Sequence, residues 1–162
     1  MRKEYPILAI IALAIIVLDQ ITKIWVVRAI RLYDSIPVIE GIFDLVHIRN
    51  RGMAFGLMNR SDIDVSFYFL VLATMGAIIF ILFWFIRLKT GDRRLTVGFS
   101  LVLGGAIGNL IDRIRLKEVI DFLDFYLGKY HWPAFNVADS AITLGAFWLA
   151  LNMLLFHRPK EN

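Results

Sequence analysis

The chain has 162 residues, enough for one domain, of which 59% are hydrophobic and 20% charged, with a formal net charge of +4. An apolar share this large, with a positive mean hydropathy, excludes an ordinary soluble fold and favours a membrane protein. There is no cysteine, which excludes a disulfide framework, a thiolate metal site and a cysteine nucleophile. The basic residues stand in short clusters beside apolar runs, so they are assigned to membrane topology, and no nucleic-acid partner is expected.

A spanning helix needs about 20 mostly apolar residues, and four stretches approach or meet this: Pro6 to Val27, Phe67 to Ile86, Leu95 to Ile111 and Ala138 to Phe156. Met1-Arg2-Lys3 ahead of an apolar run also fits a secretory signal, with Ala12-Leu13-Ala14 as its cleavage site. Against that reading, Ile15, Ile16, Val17 and Leu18 carry the apolar run straight past the cleavage point. Arg2 and Lys3 precede span one, Arg87, Lys89, Arg93 and Arg94 fill the turn after span two, and Arg158 and Lys160 close the chain. The positive-inside rule then puts both termini in the cytoplasm.

The connections from Arg28 to Ser66 and from Asp112 to Val137 therefore face outward. The first holds strand-like segments such as Phe43 to Arg49, punctuated by Gly41, Gly52 and Gly56, and predicts a small sheet resting on the membrane surface. The second carries Val119-Ile120, Phe122-Leu123, Phe125-Tyr126 and Trp132, which suits a segment at headgroup level. The expected class is an all-α membrane protein of four transmembrane helices with a small extracytoplasmic sheet, forming a single domain over residues 1–162.

With these directions, the polar residues collect at one depth. Asp19 and Lys23 lie in the outer half of span one, Asn109, Asp112 and Arg113 end span three, and Asn136, Asp139 and Ser140 begin span four. Asp121 is tethered nearby. Carboxylates at the edge of hydrocarbon cost a few kcal/mol and commonly face a bundle interior or a wet cavity, so a site at the outer interface is expected. Simpler readings stand beside this one. Asp19 and Lys23 have the spacing of an ion pair within one helix, Asp112 and Arg113 of interfacial charges, and Asp139 of a residue stabilising a helix N-terminus. Gly104, Gly105 and Gly108 suit close helix packing better than phosphate binding.

His47, His131 and His157 are scattered, with no HExxH pattern, and a zinc hydrolase is not expected. No GxSxG elbow surrounds Ser140. Aspartate remains. Two carboxylates held close share a proton, so one accepts a proton from water while the other donates one, without metal or cofactor. Composition leaves the pair open among Asp19, Asp112, Asp121, Asp124 and Asp139. A transporter lining an ion path with these charges is a rival, weakened because spans two and four carry no charge at mid-membrane depth. A scaffold docking a partner through its charged end is another.

The runs Leu18-Asp19-Gln20 with Lys23, Asn50-Arg51-Gly52-Met53-Ala54-Phe55-Gly56, Gly104 to Arg113, Val119-Ile120-Asp121-Phe122 and Pro133 to Asp139 resemble, in order, the signature blocks of the lipoprotein signal peptidase family, or signal peptidase II. The resemblance implies a four-helix membrane aspartic endopeptidase that needs no cofactor. Its substrate would be a prolipoprotein whose lipobox cysteine carries a diacylglyceryl group, cut just before that cysteine at the outer face of the bacterial cytoplasmic membrane. By the same resemblance Asp121 and Asp139 would be catalytic. Asn50, Asn109, Asp112, Arg113 and Asn136 would orient site and substrate, and Asp19 and Lys23 would support its architecture. Membrane lipid and a globomycin-type inhibitor are the other implied partners, and a monomer is expected. Lys117 stands where the family often has Gly, which puts the backbone course before Asp121 in question.

Overall fold

The computed structural model of the chain describes residues 3–52, 63–87 and 92–156. Arg2, Lys89, Arg158 and Lys160 of the charge pattern, the Met53 to Gly56 part of the second motif, and His157 lie outside the described residues.

Four helices form where the apolar runs lie: α1 (Glu4–Ala29), α2 (Ile63–Arg87), α3 (Arg93–Leu116) and α4 (Val137–Phe156). All four are long and apolar enough to cross a membrane. In α1 the buried residues Leu8, Ala12, Asp19, Lys23 and Val26 recur at helical spacing on one stripe. Most of the rest of that helix, including Ile10, Leu13, Val17, Ile21 and Trp25, is exposed, as expected of a surface that meets lipid. Asp19 and Lys23 are thus on its protein-facing side.

Helix α3 is central and packs against the other three. Its glycines make this possible. A Cβ on Gly104 would stand 2.9 Å from the Ala12 carbonyl oxygen of α1, and one on Gly105 would collide with the Ala138 carbonyl of α4. At Gly108 it would meet the Asp19 carboxylate at 2.7 Å. These are the close approaches that small residues allow between membrane helices. Helix α2 lies along α3, and its Phe85 is edge-on to Tyr5 and Phe99.

A four-stranded antiparallel sheet in the order β1-β2-β3-β4 joins β1 (Ser35–Ile39), β2 (Phe43–Asn50), β3 (Val119–Leu127) and β4 (Tyr130–His131). The second connection is therefore a strand of the same sheet as the first, and not only the interfacial segment that its aromatics suggest. Strand β3 pairs along β2 from Phe43↔Phe125 to Asn50↔Val119, with an irregularity between Leu45 and Ile48. Ile120 and Phe122 pack with Val26 and Ile30 at the end of α1, which fixes the sheet to the helix bundle. His47 is buried, its Nδ1 3.0 Å from the Ile30 carbonyl oxygen.

Candidate active site

The end of α3 and the start of α4 meet beneath β3. Phe135 exchanges backbone hydrogen bonds with Leu123 of β3, so the chain enters α4 alongside the strand that carries Asp121. Asn136 caps the helix: its Oδ1 accepts from the Asp139 amide at 2.9 Å, and Asp139 Oδ2 accepts from the Asn136 amide at 3.3 Å. This reciprocal arrangement satisfies two donors that a helix start leaves open. Asp19 of α1 takes a third, its Oδ1 accepting from the Ala138 amide at 3.0 Å. The positive end of the α4 dipole thus faces two carboxylates. The helix-terminus role suggested for Asp139 is real, and it leaves the carboxylate free for further contacts.

The deeper layer centres on Lys23, which is 1% exposed. Its ammonium lies 2.9 Å from Asp19 Oδ2, 2.8 Å from Asp112 Oδ2 and 3.0 Å from Asn109 Oδ1, so each of its three protons has an acceptor. Asp112 Oδ1 also accepts from Gln20 Nε2 at 3.0 Å, and its Oδ2 from the Ile120 amide at 3.2 Å. The ion pair expected within α1 is present, and it extends across helices to Asp112. Asp112 is buried rather than an interfacial charge, because a cation from α1 and a strand amide both bind it.

The outer layer is joined to this one through two asparagines. Asn109 accepts from Lys23 and donates from Nδ2 to Asp139 Oδ1 at 2.7 Å. Asn136 Nδ2 donates to Asp121 Oδ1 at 2.8 Å and also faces Asn109 Oδ1 and the Ile120 carbonyl, each at 3.2 Å. Asn50, at the end of β2, donates to Asp121 Oδ2 at 3.0 Å. Asp121 and Asp139 therefore hold on to the same asparagine from opposite sides. Burial pushes the Asp121 carboxyl up from its ordinary 3.8 to about 6, and the nearby Asp139 charge adds to this. The Asn50 and Asn136 hydrogen bonds and the Lys23 charge act the other way, since they favour the ionised form. Arg113 is half-buried, and its guanidinium interacts with the charges of Asp139, Asp121 and Asp112.

All nine site residues drawn from the sequence thus fall in one connected cluster. Asp124 does not join it; its carboxylate is 2.9 Å from His131 Nδ1. Gln20 is the member that sequence reasoning left out of the site, although a polar side chain beside Asp19 at membrane depth is itself a signal. Among the described residues no group of three or more His, Cys, Asp or Glu side chains is arranged to hold a metal ion.

A bundle of membrane-capable helices with amide-bridged carboxylates at one end defines a multi-pass membrane protein with a polar, enzyme-like site. The family model described as Signal peptidase (SPase) II matches residues 11–155. A lipoprotein signal peptidase of Nitratidesulfovibrio vulgaris (strain DP4) is 51% identical over 160 residues, covering 98% of this chain and 96% of that protein. One from Geobacter metallireducens is 47% identical over 162 residues, covering 100% of this chain and 99% of the relative. A solved bacterial membrane enzyme structure, obtained by the in meso method, superposes with a TM-score of 0.82 at 30% identity, covering 94% of this chain and 95% of that one. The chain belongs to the signal peptidase II family, membrane proteases that remove signal peptides from prolipoproteins.

Proposed function

We propose that this chain is an aspartic endopeptidase of one domain that cuts diacylglyceryl-modified prolipoproteins just before the lipidated cysteine, with Asp121 and Asp139 as its catalytic pair. The observation that carries this reading is the bridge through Asn136, which ties two carboxylates of different burial into one hydrogen-bonded unit. A carboxyl that keeps its proton beside a carboxylate that accepts one supplies an acid and a base together. Burial favours residence of that proton on Asp121. Asp139 then takes a proton from the attacking water as its oxygen bonds to the scissile carbonyl carbon, and Asp121 gives its proton toward the carbonyl oxygen. Collapse of the tetrahedral species passes a proton to the departing nitrogen and breaks the C–N bond.

Asn50, Asn109 and Asn136 orient the two carboxylates, and Asp19, Lys23 and Asp112 form the support beneath. Arg113 adds positive charge where negative charge develops. The lipid tails of the substrate stay in the bilayer and set the depth of the scissile bond. The basic flanks favour both termini in the cytoplasm and the site on the extracytoplasmic side of the bacterial membrane. The chain acts as a monomer, and a globomycin-type cyclic peptide blocks it at the same site.

The test is cleavage of a diacylglyceryl-modified prolipoprotein by purified protein in lipid. Wild type and Asp124→Asn are expected to cut before the lipidated cysteine, and folded Asp121→Asn and Asp139→Asn to lose at least about a hundredfold, the scale of a missing general acid or base. Cleavage by either of the last two at the wild-type rate refutes the pair.

A further inference from the structure

Asn50 is exposed at the last position of β2, yet its amide must stay on Asp121. A strand end frays easily. The Asn50 Oδ1 accepts from the Gly52 amide at 2.7 Å, which steadies the turn beyond it but does not tie that turn to β3. The tie comes from its two neighbours. Arg51 Nε donates to Glu118 Oε1 at 2.6 Å, and Arg49 Nη1 lies 3.6 Å from Glu118 Oε2. Strand alternation sets Arg49 on the face opposite to Asn50, and Arg51 follows the last residue of β2. Glu118 directly precedes β3, whose first residue Val119 pairs with Asn50. One carboxylate thus holds both flanks of Asn50 against the strand that carries Asp121.

We propose that Glu118 is a positioning residue for the cleavage reaction: by clasping Arg49 and Arg51 it fixes the end of β2 so that the Asn50 amide remains on Asp121. The Glu118 side chain is 12% exposed, less screened than a surface pair. Its hydrogen bond and its charge raise the Arg51 guanidinium above its ordinary value. An ion pair with one exposed partner contributes little to global stability, so its effect is local. The clasp rests on the two-aspartate reading.

The groups facing Asp121 are Asn50 from β2, Lys23 from α1, Arg113 from α3, and Asn136 and Asp139 at α4. Loss of the Asn50 hydrogen bond disfavours the ionised form of Asp121, so its proton persists to higher pH. The alkaline limb of kcat/KM, where the pair loses its shared proton, then moves upward. Asn50→Ala is expected to raise that limb by about one pH unit, the scale of one hydrogen bond to a charged group. Glu118→Gln and Arg51→Ala are expected to raise it by about half as much, and Asn50→Ala/Glu118→Gln no further than Asn50→Ala.

The measurement is kcat/KM against pH for these variants in lipid, with thermal unfolding as the folding control and Asp121→Asn alongside. An unmoved limb in both clasp variants, an unmoved limb in Asn50→Ala, or an additive shift in the double variant overturns the clasp while inert Asp121→Asn keeps the two-aspartate reading. Active Asp121→Asn overturns that reading and the clasp with it.

Discussion

Two groups of carboxylates lie within one end of the same bundle, and they are neutralised in different ways. In the deeper group, Asp19 and Asp112 share the Lys23 ammonium at 2.9 and 2.8 Å, and further donors from Gln20, Ala138 and Ile120 fill their remaining lone pairs. In the outer group, Asp121 and Asp139 receive hydrogen bonds from asparagine amides and one backbone amide. A cation offsets the charge of its carboxylates and holds them in place. Amides orient a carboxylate and leave it able to take up a proton. On the proposed mechanism the deeper group serves position and the outer group proton transfer, and Asn109 connects them because it accepts from Lys23 and donates to Asp139.

Removal of the cation tests this division most severely. Lys23→Met leaves two buried carboxylates without their counter-ion, and breaking a buried ion pair from one side costs about 3–5 kcal/mol. Unfolding of the purified variant in detergent is expected to show a loss of that size, with cleavage lost as well. A variant as stable as wild type would mean that the deeper group is not what supports this end of the bundle.

The outer group is expected to respond with the opposite sign. Asp121 has a folded-state value of about 6 against an ordinary 3.8, so the folded protein holds this proton more tightly than the unfolded chain. Its contribution is then most favourable below pH 3.8 and is lost as pH rises through about 6, a difference of about 3 kcal/mol. Asp121→Asn removes that cost but sets an amide against the amides of Asn50 and Asn136, which returns about 1–2 kcal/mol. The variant is expected to be about 1 kcal/mol more stable than wild type at pH 8, with the advantage gone at pH 4. A loss of several kcal/mol at pH 8 would make Asp121 a structural residue like Lys23 and erase the contrast.

Much of this arrangement is legible in the sequence, because it follows from local pattern. The apolar runs place the four helices to within a few residues, and the direction of each span brings Asp19, Asp112 and Asp139 to one depth. The close packing expected of Gly104, Gly105 and Gly108 is what the helices show. What sequence does not display is pairing over distance. Nothing local in Val119 to Leu127 states that it will take β2 as its partner, and without that pairing neither the burial of Asp121 nor the Glu118 clasp can be inferred. Asp112 looks interfacial until Lys23, on another helix, is placed against it. Asn136 enters the site from sequence only through the family resemblance, since its hydrogen bond to Asp121 depends on a strand 15 residues earlier.

The two groups are joined covalently by a short turn, and Lys117 sits at its pivot. It is the C-cap of α3 with φ +60 and ψ 9, the left-handed conformation that glycine adopts without penalty. The lysine that stands where the family often has Gly thus holds a backbone conformation that favours glycine, at some cost. That turn lets the Ile120 amide reach back to Asp112 in the deeper group while the next residue, Asp121, enters the outer one. Lys117→Gly removes the Cβ penalty of about 1 kcal/mol, and gives up the ammonium placed 5.7 Å over the Phe67 ring, worth about 0.5 kcal/mol. Thermal unfolding is expected to show a net gain of about 0.5 kcal/mol with the pH profile of cleavage unchanged. A shifted profile would instead mean that the lysine, through its strained backbone, tunes the outer carboxylates, and that the two groups are less separable than their hydrogen bonds indicate.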